Sequence, residues 1–257
     1  MRTRTAYCLL DSGGRVLAAH EELHPFYAAS TVKLALMAAV ARAVDGGELR
    51  WTDEVEVRSE FPSGAAGAPR FQVPPADRDR RMPPDGEPAT VLELVHAMIR
   101  RSSNEATNLL AEVVGLPSVA VVMDDAGAVG CRMERLIGDV AASEAGITNE
   151  VTAEGLARLM IAVVTGRLAS PGSTEVMVDT LRGQELPCIA DVLPPGAMWG
   201  SKSGWVEGID HDVAFIGDPG TPVLKVLAVC TSGFPQRTGE AEIRYVSSML
   251  MSEGNRL

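Results

Sequence analysis

The sequence predicts an α+β fold: an α/β sandwich on a five-stranded antiparallel sheet flanked by helices, with an all-helical domain inserted. Three observations carry this. A strand hairpin opens the chain, capped amphipathic segments fill its middle, and three strand-like segments followed by a helix close it. Strands from both ends of a chain bury their apolar faces together when they share one sheet, and the helices between them then form an insertion.

The elements follow in order. Ala6 to Leu10 and Val16 to Ala19 are short apolar runs around the turn signal Asp11-Ser12-Gly13-Gly14, which reads as a β-hairpin. Thr31 to about Val44 is an apolar, alanine-rich helix stopped by Gly46-Gly47. Phe61 to Pro88, rich in Pro, Gly, Arg and Asp, is expected to be a long surface loop. In Thr90-Val91-Leu92-Glu93 the threonine caps the N3 amide and the glutamate reaches back, which opens an amphipathic helix to about Arg100. Ser102 to Glu105 repeats the pattern, and a second helix is expected from there to Val114, ended by Gly115 and Pro117. Further helices are expected at Val119 to Ala126, at Ala153 to Thr165 behind a Thr152 cap, and at Thr174 to Arg182 before Gly183. Ala197 to Ser203, His211 to Ile216 and Val223 to Thr231 are strand-like, with Asp218-Pro219-Gly220 turning the last two. A helix from about Glu240 to Met251 closes the chain. The expected domains are residues 1–45 with 170–257 for the sheet part and 46–169 for the helical part, intertwined, with the active site between them.

A chain of 257 residues with 46% apolar content is long enough to bury a substantial core. Its net charge of −11 speaks against a nucleic-acid partner, because neutralising phosphates needs a concentrated positive face. No stretch reaches the ~18 to 20 consecutive apolar residues of a membrane span. Met1-Arg2-Thr3-Arg4 leads straight into a strand rather than a secretory signal, so the expected address is cytoplasmic as written, and secreted if a leader has been removed. Cys8, Cys131, Cys188 and Cys230 are far apart and form no CxxC pair, and are expected to be buried free thiols. His20, His24, His96 and His211 show no metal-ligand spacing, so no metal and no cofactor is expected.

Chemistry begins at Ser30-Thr31-Val32-Lys33, where a hydroxyl and an amine stand three residues apart at a helix start, on one face and within mutual reach. A serine hydroxyl is a poor nucleophile until a base takes its proton. A lysine is such a base when burial or a second cation lowers its pKa. The helix N-terminus adds free amides and positive potential for a developing oxyanion. The same spacing also arises from a simple cap and a surface charge, so two further motifs decide. Ser102-Ser103-Asn104 stands at an expected helix start, and Lys202-Ser203-Gly204 on an expected strand.

In this order and context the three motifs resemble the class A β-lactamases and the wider penicillin-binding-protein type of serine hydrolase. The resemblance spans nearly the whole chain, including Ala106-Thr107-Asn108-Leu109-Leu110 after the second motif. It implies a β-lactamase/transpeptidase-like fold and acyl transfer through Ser30, with Lys33 as proton acceptor or relay. By the same resemblance, Ser102 would shuttle the proton to the leaving nitrogen, and Asn104 would bond the substrate's side-chain amide. Lys202 and Ser203 would hold a substrate carboxylate. The backbone amides of Ser30 and Trp205 would form the oxyanion hole, and Gly204 would let the substrate backbone approach the strand. The expected partner is a small molecule, carboxylate-bearing.

The sequence departs from the family where a glutamate should activate the deacylating water. Two residues after Arg135, in Arg132-Met133-Glu134-Arg135-Leu136-Ile137-Gly138-Asp139, stands Ile137. Asp139 is the nearest acid to replace it, with Glu134 and Glu144 as weaker candidates and a plain loop or cap aspartate as the alternative. Ser103 replaces the aspartate that many relatives carry, and Ser203 their threonine. The leading function is hydrolysis of a β-lactam or a related amide or ester. The alternatives are a small-molecule esterase or D-amino peptidase, and a β-lactam-binding or sensing protein that acylates without efficient deacylation.

Overall fold

The computed structural model describes residues 2–235 and 238–253. The hairpin forms from β1 (Arg4–Asp11) and β2 (Val16–His20). The Asp11 carboxylate fixes its turn by accepting from the Gly13 and Arg15 amides at 3.0 and 2.9 Å. After strand β3 (Phe26–Tyr27) the chain makes a 3₁₀ turn, Ala29–Val32, and then enters α1 (Lys33–Asp45). The helix expected from Thr31 thus starts at Lys33, and Ser30 rides on the tighter turn before it.

Residues 61–88 are not a single loop. Within and beside them, β4 (Glu54–Glu56) pairs with β7 (Pro88–Thr90), and β5 (Glu60–Phe61) with β6 (Phe71–Gln72). Phe61 is fully buried, its ring 6.0 Å from that of Phe71. The Pro and Gly residues mark turns between very short strands held down by buried Phe61 and partly buried Phe71.

Helix α2 (Val91–Arg100) has the expected Thr90–Glu93 capping box. For α3 (Asn104–Val114) the cap is Ser103, not Ser102: its hydroxyl accepts from the Ala106 amide at 3.2 Å. The reason lies in the backbone, because a cap needs an extended conformation and Ser102 has φ 63°. Helix α4 (Leu116–Ala126) follows directly on Gly115, whose φ of 75° ends α3, and takes Pro117 into its first turn. Then come β8 (Arg132–Met133), α5 (Val140–Glu144), β9 (Asn149–Val151) and α6 (Ala153–Val164), the last capped by Thr152. Helix α7 (Pro171–Arg182) begins earlier than Thr174 because Ser170 caps it. Strands β10 (Trp199–Val206), β11 (Ile209–Ile216) and β12 (Lys225–Ser232) precede the closing α8 (Thr238–Glu253).

The two ends of the chain do share one antiparallel sheet, in the order β10-β11-β12-β1-β2. Side chains alternate across it. Cys8 and Leu10 point into the large core with α1 and α6, while Leu9, Ala214, Leu227 and Val229 face Ile243, Val246 and Leu250 of α8. Helix α6 lies on β1, β11 and β12, and α1 lies among α2, α3, α4 and α7, so packing crosses the boundary drawn from sequence in both directions. What matters for the site is that β10 is an edge strand of this sheet. Among the described residues no single helix is long and apolar enough to cross a membrane.

Candidate active site

The sequence holds only three lysines, and two of them, Lys33 and Lys202, are wholly buried. Buried lysines are rare because removing an ammonium from water is costly. Neither forms an ion pair among the described residues. They converge instead on Ser102, whose hydroxyl lies 3.2 Å from Lys33 Nζ and 3.3 Å from Lys202 Nζ. Lys33 also donates to the Ser102 carbonyl at 2.7 Å and to Asn104 Oδ1 at 2.9 Å. Lys202 donates to the Ser203 carbonyl at 2.5 Å.

These surroundings set the charge states. Burial, then the neighbouring Lys202, hold the Lys33 amine well below its ordinary range, with Glu105 pulling the other way. Burial brings Lys202 down to about 7, opposed by Asp212. A neutral Lys33 has two N–H groups, which the Ser102 carbonyl and Asn104 Oδ1 satisfy, and one lone pair left for a proton. That is the condition a base needs.

Ser30 is half-buried one turn before Lys33, and its hydroxyl has no hydrogen bond among the described residues. Strand β10 closes directly on its turn. A Cβ on Gly204 would stand 2.6 Å from the Ser30 amide nitrogen and 2.8 Å from that of Thr31. The protein's own backbone thus leaves no room for a side chain at Gly204. Backbone strain marks the same place: Ala29 (φ 46°) and Ser102 (φ 63°) are two of the three described non-glycine residues with positive φ. Each costs on the order of 1–3 kcal/mol, held in place by surrounding structure. Trp205, next along β10, is 67% exposed, while Ser203 is buried.

The loop carrying Ile137 is pinned from α3, where Asn108 exchanges two bonds with its backbone: Ile137 N–H donates to Oδ1 at 2.8 Å, and Nδ2 donates to the Ile137 carbonyl at 2.9 Å. Asp139 stands at the N-terminus of α5. Its buried carboxylate caps α5 by accepting from the Ala142 amide at 3.1 Å, and accepts from Ser63 Oγ and the Gly64 amide at 2.8 Å each. The loop neck is closed by Asn149, which accepts from the Glu134 and Arg135 amides and donates to the Arg135 carbonyl. Arg135 turns inward onto Tyr27, donating to its hydroxyl at 3.1 Å and covering its ring.

The sequence matches the beta-lactamase enzyme family over residues 3–253. The chain belongs to that family. Among solved structures it is similar to the β-lactamase from Sphaerobacter thermophilus DSM 20745, at 31% identity and TM-score 0.82, covering 98% of this chain and 92% of the other. A β-lactamase from Xanthomonas campestris pv. campestris str. ATCC 33913 is 25% identical, with TM-score 0.80 over 95% of this chain and 90% of that one. PBP-A, at 21% identity and TM-score 0.81 over 99% of this chain and 91% of its own, shares the fold. No curated protein matches. The chain is a serine β-lactamase-like hydrolase, and the family favours this over the esterase, peptidase and sensor alternatives.

In this β-lactamase family member several site-shaping residues were not singled out from sequence. Glu105 is buried beside Ser103, whose hydroxyl donates to it at 3.1 Å. Buried His211 ties β11 to the strand that leads into Ser30. Burial takes its pKa down to about 4; its Nε2 lies 3.0 Å from the Tyr27 carbonyl, and its Nδ1 lies 2.7 Å from the Asp210 carbonyl and 3.2 Å from the Thr231 amide nitrogen. Asn108 lies one helical turn past Asn104, a spacing visible in the sequence but silent about its partner. Past Ser203, Gly204 and Trp205 a cavity of about 1060 Å³ extends toward Phe234 and Arg244. Cys8, Cys131, Cys188 and Cys230 are free thiols, Cys131 the least buried.

Proposed function

We propose that this hydrolase works through a Ser30 acyl-enzyme on a β-lactam or a related small amide or ester bearing a carboxylate. The observation that supports it best is the meeting of two buried amines on one serine hydroxyl, one turn from an unpaired nucleophile. Lys33, its hold on a proton weakened by burial and by Lys202, takes the Ser30 proton as Oγ attacks the carbonyl carbon. The oxyanion forms against the amides of Ser30 and Trp205 on the open edge of β10. Collapse breaks the carbon–nitrogen bond, the proton passes from Lys33 through Ser102 to the leaving nitrogen, and the acyl group stays on Ser30. Lys202 and Ser203 hold the carboxylate, and Asn104 the side-chain amide.

Intact-protein mass after exposure to a penicillin tests this. The expected result is an adduct of the whole lactam on the peptide containing Ser30, absent from Ser30→Ala. An adduct elsewhere, or neither an adduct nor turnover with any lactam or activated ester, overturns the reading. Lys202→Ala is expected to raise KM for carboxylate-bearing substrates by tenfold or more, as a lost charge-assisted contact of ~1.5–3 kcal/mol implies, and to leave neutral esters within about twofold. Equal losses for both substrate types would remove Lys202 from carboxylate binding.

A further inference from the structure

Ser102 is the residue that both buried lysines reach, and its φ of 63° is one that a non-glycine residue keeps only when its surroundings over-determine it. Its own side-chain contacts among the described residues run to Lys33 and Lys202, so the restraint comes from the residues on either side. Asp79, in the loop between β6 and β7, reaches both sides. Its Oδ2 accepts from Arg101 Nε at 2.6 Å, and with side chains 19% and 9% exposed this is the least exposed ion pair among the described residues. Its backbone amide donates to Glu105 Oε2 at 3.4 Å, the same oxygen that accepts from the Ser103 hydroxyl at 3.1 Å. The Arg81 amide, donating to Asp79 Oδ1 at 3.0 Å, holds the carboxylate on its own loop. Arg81 then donates to Glu185 Oε2 at 2.7 Å, and the Glu185 amide to the Arg100 carbonyl at 3.0 Å. The loop, the Ser102 turn and the segment before β10 are thus joined in a ring.

We propose that Asp79 is a positioning residue for the proton relay: it clamps Arg101 through its carboxylate and Glu105 through its amide, and so holds Ser102 in the left-handed conformation that brings its hydroxyl to both lysines. Asp79 acts only through Ser102. The Arg81–Glu185 pair, about half exposed on each side, adds little energy and serves to close the ring. The Asp79–Arg101 pair is the stronger link, because it is short and largely shielded from water. A consequence for the chemistry follows from what Ser102 does. A lactam nitrogen has to take a proton through Ser102 as its bond to carbon breaks, whereas a p-nitrophenyl ester loses a stabilised phenolate with no proton at all. Loss of the clamp therefore slows the first reaction and spares the second.

This rests on the Ser30 acyl-enzyme reading for its kinetic arm, and a second arm needs no substrate. In Asp79→Ala, acylation followed by intact mass against time is expected to slow by about tenfold or more for a penicillin, since a displacement of about 1 Å at a reacting group can cost ~10²-fold. Acylation by a p-nitrophenyl ester is expected to stay within about threefold of the parent. A merely structural role would slow both alike. Arg101→Ala is expected to give the same split, and the double variant no more than either single one, because both remove one contact. For the second arm, carbon-13 at lysine Cε gives three signals, from Lys33, Lys202 and Lys225. Asp79→Ala is expected to move the first two, which contact Ser102, and to leave Lys225 in place. Equal slowing of lactam and ester, or unmoved Lys33 and Lys202 signals, overturns the proposal. If Asp79→Ala does not fold, Asp79→Asn decides: a lactam slowed more than the ester supports the clamp, and equal rates overturn it. Shifted lysine signals in a protein that no lactam or ester acylates would leave the clamp standing and remove the acyl-enzyme reading instead.

Discussion

Ser30→Ala is expected to leave a folded protein whose turnover of any lactam or ester substrate falls by on the order of 10⁴-fold or more. The loss is large because the remaining groups serve only the nucleophile. Lys33 has no other proton to take, and Ser102 receives none to pass on. The fold is spared because the Ser30 hydroxyl carries no structural hydrogen bond among the described residues, and a half-buried serine that loses only its oxygen changes stability by about 0.5 kcal/mol or less. Steady-state kinetics beside a thermal melt checks both halves. Activity within tenfold of the parent, with an unchanged melt, would place the nucleophile elsewhere.

The fold was largely legible because its strongest signals are local. The Asp-Ser-Gly-Gly turn, the Thr90–Glu93 capping box and the glycine stops at positions 46, 115 and 183 each mark an element boundary by backbone chemistry that needs no tertiary context. What failed was also instructive. Ser102 and Ser103 are indistinguishable as caps in sequence, and only the positive φ of Ser102 assigns the cap to Ser103 and releases Ser102 toward the two lysines. The strained residue is the one that both buried lysines reach, the pattern expected where local rules are broken for chemistry. Residues 61–88 were misread as plain loop because two-residue strands have no periodicity to detect, whereas Phe61 and Phe71 reveal themselves only by burial.

The site was legible as motifs but not as a charge balance. Ser30, Lys33, Ser102, Asn104 and Lys202 are named by spacing and order, and the structure brings the last four into mutual hydrogen bonding. Glu105, whose charge bears on Lys33, reads in the sequence only as a helix-start glutamate of a capping pattern. Long-range pairs of this kind, such as Asn108 with the backbone of residue 137, have no local signature at all. Sequence order states which groups take part, and burial then decides which of them are charged.

The same distinction governs the second step of the reaction. A β-lactam is expected to give a burst of ring opening equal to the enzyme concentration, followed by a steady state slower by ~10²-fold or more. Hydrolysis of the acyl-enzyme needs a base within hydrogen-bond reach of a water aligned on the ester carbonyl. Position 137 offers an apolar side chain on a backbone that Asn108 holds fixed. Asp139 is close in sequence, but all three of its hydrogen bonds are spent on Ser63, Gly64 and the start of α5, so it secures the loop rather than a water. Glu134 and Glu144 are exposed, and Glu134 faces Arg132. Asp139→Asn is therefore expected to lose a hydrogen bond of the loop, about 1 kcal/mol of stability, and to leave both the burst and the steady-state rate within a few-fold of the parent. Stopped-flow absorbance at the lactam chromophore, with intact mass in the steady state, measures both phases. A steady state suppressed by 10²-fold in Asp139→Asn with an unchanged burst would make Asp139 the deacylating base, and a parent without any burst would mean that acylation, not deacylation, limits turnover.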